Sequence, residues 1–291
     1  MKVPLMTGPS PLTFLGDEAV ALAADSYGTP NRGTVLLAHG GGQTRHAWAK
    51  TGERLAAAGW RAVALDLRGH GDSGWSPTGD YRMHRFAADI VRVANQLGDK
   101  PALVGASLGG IAGMMVETLV APATFSSLTL VDITPRMEAD GVAKVMGFMS
   151  ARVADGFASL EEAAETIASY MPNRPRRTDL TGLGKNLRRH PDGRYRWHWD
   201  PRFVTSVMES RDTHSMEDFR TRVGDISIPV HLIRGRMSEL VSQEAAQEFL
   251  TMLPQATFTD VENAGHMVAG DRNDAFIEAV VGFLSLREAI Q

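Results

Sequence analysis

The feature that most limits what this chain can become is an alternation. Short, almost wholly apolar runs are separated by longer segments with helical spacing. Thr34-Val35-Leu36-Leu37-Ala38, Trp60-Arg61-Ala62-Val63-Ala64-Leu65, Pro101-Ala102-Leu103-Val104 and the run from Ser127 to Ile133 read as strands. Trp48 to Ala58 reads as a helix stopped at Gly59, and Arg85 to Leu97 as a helix stopped at Gly98. Glycine just past the last periodic residue is a favoured helix stop, because it enters the left-handed region at little cost. A further helix follows Gly110, through about Val120. Strands that are apolar on both faces must be covered on both faces. The pattern therefore predicts an α/β fold: a mostly parallel sheet with helices on each side.

The rhythm breaks at Thr134. From there to about Arg222 helical segments continue, but no run reads as a strand. Strand signals resume at Pro229-Val230-His231-Leu232-Ile233-Arg234, followed by a helix from Ser242 to Leu253, a strand from Ala256 to Val261 and a helix from Asp274 to Leu286. The expected organisation is an α/β core of residues 1–133 and 223–291 with an inserted helical cap of residues 134–222. An insertion between two core strands belongs over their carboxyl ends, where α/β sheets keep their sites. A length of 291 residues suits one large domain or two ordinary ones.

Charge and composition remove several classes. The net charge of −4, from 34 acidic and 30 basic residues, gives no electrostatic case for a nucleic-acid or anionic-membrane partner. With no cysteine, disulfides, thiolate metal sites and a cysteine nucleophile are excluded. No stretch approaches the roughly 20 apolar residues of a membrane span. The start, Met1-Lys2-Val3-Pro4 with Pro9 and Pro11 close behind, lacks the apolar segment of a signal peptide, so a cytoplasmic location is expected. The nine histidines show no metal-ligand spacing, and Gly40-Gly41-Gly42 is not followed by the Gly-Lys-Ser/Thr of a phosphate-binding loop.

Gly105-Ala106-Ser107-Leu108-Gly109 carries the chemistry. The Gly-x-Ser-x-Gly spacing follows an expected strand and opens an expected helix, the context of a nucleophile elbow. The two glycines let backbone pass where a Cβ would clash, and the Leu108 N–H at the helix start faces the place where an oxyanion would form. A serine hydroxyl needs a base. His266, in Asn263-Ala264-Gly265-His266, lies past the last strand at the carboxyl edge of the sheet. His39 reads as structural and His70 as a turn-packing residue. The base in turn needs a carboxylate that selects its tautomer. Glu239 is the only acid in Gly235-Arg236-Met237-Ser238-Glu239-Leu240-Val241, the loop where that group is expected; Asp132, ending the strand before the insertion, is the alternative. Asp260 lies within an expected strand and is less suited. The second oxyanion donor is expected at the Gly41 N–H, with Gly42 as second choice.

Taken in order, Leu37-Ala38-His39-Gly40-Gly41-Gly42, Asp66-Leu67-Arg68-Gly69-His70-Gly71-Asp72-Ser73, Gly105 to Gly110, Leu232-Ile233-Arg234-Gly235 and Gly265-His266 resemble the alpha/beta-hydrolase fold family, in its serine-nucleophile members with a helical cap. The resemblance implies a Ser-acid-His triad, a two-point oxyanion hole and no cofactor. One departure stands out: relatives most often have Asp where Glu239 falls, which keeps Asp132 open. The expected activity is cofactor-free hydrolysis of a carboxylic ester or lactone. The alternatives are hydrolysis of a carbon–carbon bond in ring-cleavage diketones, metal-free peroxidase or perhydrolase chemistry, and a non-catalytic small-molecule receptor. Epoxide and haloalkane hydrolases of this family use an Asp nucleophile, and Ser107 argues against them.

Within the cap, Met146, Met149, Trp197 and Trp199 are candidates to line an apolar substrate cavity, with Phe148, Phe157, Tyr170, Met171 and Phe203 beside them. The competing reading is that these residues pack the cap's own core. Arg176, Arg177, Arg188 and Arg189 offer either a counter-charge for a substrate carboxylate or a solvated face. Asp72 and Ser73 read as structural. The expected partner is a small apolar ester or lactone, and the expected assembly a monomer or homodimer.

Overall fold

The computed structural model describes residues 8–170, 180–209 and 213–288. Strands β1 (Ser10–Leu15), β2 (Ala21–Tyr27) and β3 (Thr34–Ala38) lead to helix α1 (Ala49–Ala57), followed by β4 (Arg61–Leu65), α2 (Met83–Leu97), β5 (Ala102–Ala106), α3 (Leu108–Met115) and β6 (Ser127–Val131). A π-helical stretch over Val116–Val120 prolongs α3. The chain then leaves the sheet for α4 (Ala139–Ser150), α5 (Leu160–Tyr170), the short strands β7 (Leu187–Arg189) and β8 (Tyr195–Trp197), α6 (Pro201–Glu209) and α7 (Thr213–Arg222). It returns with β9 (Val230–Gly235), α8 (Gln243–Met252), β10 (Thr257–Val261), α9 (Val268–Asp271) and α10 (Asn273–Glu288). No described helix is long and apolar enough to cross a membrane.

Eight strands form one sheet in the order β1-β2-β4-β3-β5-β6-β9-β10. Both neighbours of β2 pair with it antiparallel, and every other pairing is parallel, so β2 alone runs against the rest. The α/β class expected from the sequence is the class observed. Side chains alternate between the faces of a strand, so an apolar run feeds two cores at once. Leu36, Val63, Leu65, Leu103, Leu128 and Leu130 join Phe86 and Ile90 of α2 and Ala112 of α3 on one face. Val35, Leu37, Ala62, Ala64 and Val104 join Leu55 of α1 and Phe276, Ile277 and Val280 of α10 on the other.

Four strands escaped the sequence pattern. In β2, Ala21-Leu22-Ala23-Ala24-Asp25-Ser26-Tyr27 has no β-branched residue, and β1 carries a proline. β2 pairs with β4 and β1 with β2, so their places are set by pairing rather than by local propensity. The other two, β7 and β8, form a hairpin of two three-residue strands rich in arginine. Its one local signal is the turn Pro191-Asp192-Gly193, with Gly193 at φ +81°.

Helix α3 lies close on the sheet. A Cβ at Gly113 would meet Leu103 Cδ2 at 2.4 Å, and Leu103 is fully buried. Leu103→Ala therefore opens a space beside Gly113, which has no side chain to fill it. It is expected to cost about 2–5 kcal/mol of unfolding free energy, measured by urea denaturation.

Candidate active site

The site is assembled where parallel strands end. Ser107 sits directly between β5 and α3 with φ 44° and ψ −110°, a conformation non-glycine residues rarely adopt. Strain of this kind costs on the order of 1–3 kcal/mol and persists only when the surroundings enforce it. Here Ser107 N–H donates to the Val131 carbonyl, Gly109 N–H donates to the His39 carbonyl, and the Ser107 carbonyl accepts from Ile111 N–H. The spacing of the glycines now has a cause. A Cβ at Gly105 would lie 2.7 Å from the Gly109 backbone, and one at Gly109 would lie 2.5 Å from the Ala38 carbonyl oxygen. Neither position has room for a side chain, because the turn folds helix back onto strand.

Asp132 follows β6, the strand next to β5, and takes φ 49°. Its buried carboxylate collects three donors. Oδ1 accepts from Gly235 N–H at 2.9 Å, and Oδ2 accepts from the Ser238 hydroxyl at 2.6 Å and from His266 Nδ1 at 2.7 Å. A proton on Nδ1 leaves Nε2 of the neutral ring as an acceptor, the tautomer a general base needs.

The acid expected from the sequence is elsewhere. Glu239 is largely exposed, and its carboxylate pairs with Lys144 of α4. His266 Nδ1 donates to Asp132 instead, so the expectation that Glu239 orients His266 is corrected here. The cause is local. Gly235 N–H and the Ser238 hydroxyl both turn inward to Asp132, and Ser238 Oγ accepts from Leu240 and Val241 N–H at 3.1 Å. The loop that satisfies Asp132 in this way directs the next side chain outward. Ser238 itself carried no sequence signal. Asp260 forms ion pairs with Arg234 and Arg236, away from this cluster.

The glycine run passes beside the serine: a Cβ at Gly40 would sit 3.3 Å from Ser107 Cβ. Gln43, which the sequence did not single out, bridges two loops. Its Oε1 accepts from Gly40 N–H at 3.0 Å, and its amide donates to the sulfur of Met267, the residue after His266, at 3.1 Å. Leu108 is the first residue of α3, where backbone N–H groups have no intrahelical partner.

The segment between β6 and β9 covers the glycine run. Cβ atoms built at Gly41 and Gly42 would meet Met149 at 3.3 Å, with Phe203 3.7 Å from the former and Trp199 3.3 Å from the latter. Trp197 lies one layer out, stacked on Trp199 at 4.7 Å. Phe157 meets Trp197 edge-on, and Phe148 stacks on Tyr170 at 4.3 Å, so these residues pack the segment's own core. Met146 is partly buried against the same apolar cluster. Arg188 pairs with Asp72, and Arg189 is exposed. Met171, Arg176 and Arg177 lie outside the described residues. Among the described residues no three His, Cys, Asp or Glu side chains converge as a metal site.

Asp72 and Ser73 belong to a structural turn. Asp72 and the buried Asp66 both pair with Arg45, and Ser73 Oγ donates to the Asp66 carbonyl. His39 and His70 are fully buried beneath the glycine run, their rings 5.2 Å apart, and His198 is 5.9 Å from His70.

A sequence profile of the alpha/beta hydrolase family matches residues 35–279. The esterase Rv0045c of Mycobacterium tuberculosis is 29% identical over 259 residues, spanning 87% of this chain and 83% of that protein. One of its crystal structures superposes with a TM-score of 0.74 at 26% identity, covering 96% of this chain and 93% of that one. The pimeloyl-[acyl-carrier protein] methyl ester esterase of Aliivibrio fischeri is 26% identical over 257 residues, which is 86% of this chain and 93% of the relative. The crystal structure of E-2-(acetamidomethylene)succinate hydrolase has the same fold, with a TM-score of 0.80 at 21% identity over 95% of this chain and 99% of its own. The chain belongs to the alpha/beta hydrolase family and is a hydrolase.

Burial holds three histidines neutral. His39 is pushed down to about 4 and His70 to about 3, while His198 falls well below the ordinary value of 6.5. Their mutual proximity adds to the effect, as does Arg188 beside His198; Asp66 and Asp200 oppose it at His70. His231, buried against Phe283, is likewise lowered to about 4. Between pH 6.5 and 4 the unfolded chain binds protons that the folded chain refuses, so this contribution to stability is full above 6.5 and falls as pH falls. The urea midpoint is expected to drop steadily from pH 7 to pH 5; a midpoint flat over that range would contradict this.

Proposed function

We propose that this protein hydrolyses carboxylic esters, lactones among them, through an acyl-enzyme on Ser107. His266 acts as base and acid, and Asp132 holds it. The observation that carries the reading is the 2.7 Å hydrogen bond between His266 Nδ1 and the buried Asp132 carboxylate, at the end of the strand beside the one that presents Ser107. The esterases among its relatives support the same reading.

In this mechanism Ser107 Oγ attacks the acyl carbonyl while His266 Nε2 takes its proton. The carbonyl oxygen becomes an oxyanion that accepts from the Leu108 and Gly41 N–H groups, worth several kcal/mol in a site of fixed donors. The imidazolium is stabilised by Asp132 and gives its proton to the leaving alkoxide, which departs as the alcohol. Water, deprotonated by the same ring, then attacks the acyl-enzyme, releasing the acid and restoring Ser107. Residues 134–222 act as a cap, with Met149, Trp199 and Phe203 supplying apolar contacts to the substrate.

The test is turnover on a panel of p-nitrophenyl esters and lactones. Ser107→Ala is expected to abolish it. Asp132→Asn is expected to lower kcat by about 10³–10⁴-fold, since the amide no longer selects the base tautomer. Glu239→Gln is expected to stay within about threefold of wild type, as an exposed ion pair contributes little. A larger loss from Glu239→Gln than from Asp132→Asn would overturn the assignment.

A further inference from the structure

We infer that His198, carried by the inserted segment, is a positioning residue for the oxyanion donor at Gly41. The inference rests on the ester-hydrolase reading above. Both nitrogens of His198 are engaged. Nδ1 accepts from Gly71 N–H at 2.8 Å, so the single proton of the neutral ring is on Nε2, which donates to the Gly42 carbonyl at 3.2 Å. His39 is its counterpart with the opposite tautomer. Nε2 accepts from Leu67 N–H at 3.0 Å, and Nδ1–H donates to the Gly40 carbonyl at 2.8 Å.

The two imidazoles thus grip carbonyls on either side of Gly41. The Gly40 carbonyl and the Gly41 N–H belong to one planar peptide and point in opposite directions, so a donor on the oxygen fixes where the N–H aims. The next peptides lie in a glycine run, and Gly42 takes φ +73°, so side chains give them no restraint of their own. Gln43 N–H closes a turn on the Gly40 carbonyl at 3.1 Å, and the hydrogen bond from His198 holds the Gly42 carbonyl within that turn.

The anchor behind His198 is firm. Asp200 N–H donates to the Gly69 carbonyl at 2.9 Å, and Arg188 reaches the Gly71 carbonyl at 3.3 Å and Asp72 at 2.8 Å. The inserted segment therefore clamps the Gly69–Asp72 turn, and His198 links that turn to the glycine run. Seating of the insertion and aim of the oxyanion donor become one event.

The two amide variants separate the two hydrogen bonds. His198→Asn can place an acceptor near Nδ1 for Gly71 but has no group that reaches Gly42. His198→Gln can place an amide N–H near Nε2 for the Gly42 carbonyl. Turnover of p-nitrophenyl butyrate and the rate of Ser107 labelling by a fluorophosphonate are measured on wild type, both variants and Ser107→Ala, with thermal midpoints alongside. His198→Asn is expected to lower kcat and labelling rate by about 10–100-fold with KM within about threefold, a weaker effect than deleting an oxyanion donor outright. His198→Gln is expected to stay within about threefold of wild type in kcat. Equal losses in the two folded variants, or an unchanged kcat in His198→Asn, would overturn the inference. Should His198→Asn not fold, a folded His198→Gln that loses more than about tenfold in kcat overturns it, and one that keeps kcat supports it. Turnover or labelling that persists in Ser107→Ala would instead defeat the ester-hydrolase reading.

Discussion

One buried carboxylate ties the upper edge of this sheet together. Asp132 follows β6 and draws in the last backbone N–H of β9, the Ser238 hydroxyl and the His266 ring from the loop after β10. A carboxylate withdrawn from water must be compensated by donors. Here each donor comes from a segment distant in sequence, so the electrostatic need of one group fixes the relative positions of three loops. A 134-residue separation between Asp132 and His266 is closed by a single 2.7 Å contact. The sheet makes this possible, since β6, β9 and β10 are successive neighbours and finish side by side.

The same edge concentrates backbone strain. Ser107, Asp132 and Asn263 all take positive φ at 44°, 49° and 55°, at or just beyond strand ends. Each is a sharp exit that lifts the chain off the sheet. Such conformations are affordable because the strands below are rigid: Leu36, Leu37, Leu103 and Val104 have no exposed surface and knit helices to both faces. Core packing and site geometry are therefore two ends of the same strands.

The parallel core was legible because its strands are buried on both faces and read as unbroken apolar runs. The positions of Ser107 at the strand-to-helix turn and of His266 past the last strand were legible as well, each marked by glycines beside it. What escaped is what depends on contacts across the fold. β1 and β2 have little local β-propensity and exist by pairing. The choice of Asp132 over Glu239 was hidden because both sit in loops at the correct edge, and only the inward turn of Ser238 decides which carboxylate meets His266. Nothing local marks His198, which stands between Trp197 and Trp199, and its two hydrogen bonds join Gly71 and Gly42, residues 127 and 156 positions away.

Trp197 and Trp199 stack nearly parallel, their centroids 4.7 Å apart and their planes 10° from parallel, with Trp199 resting against Gly42. Two indoles so close couple their electronic transitions, and the coupling depends steeply on distance and angle. Both indoles belong to the inserted segment, so the protein contains an optical gauge of how that segment is packed where it rests on Gly42, read by circular dichroism without any attached dye.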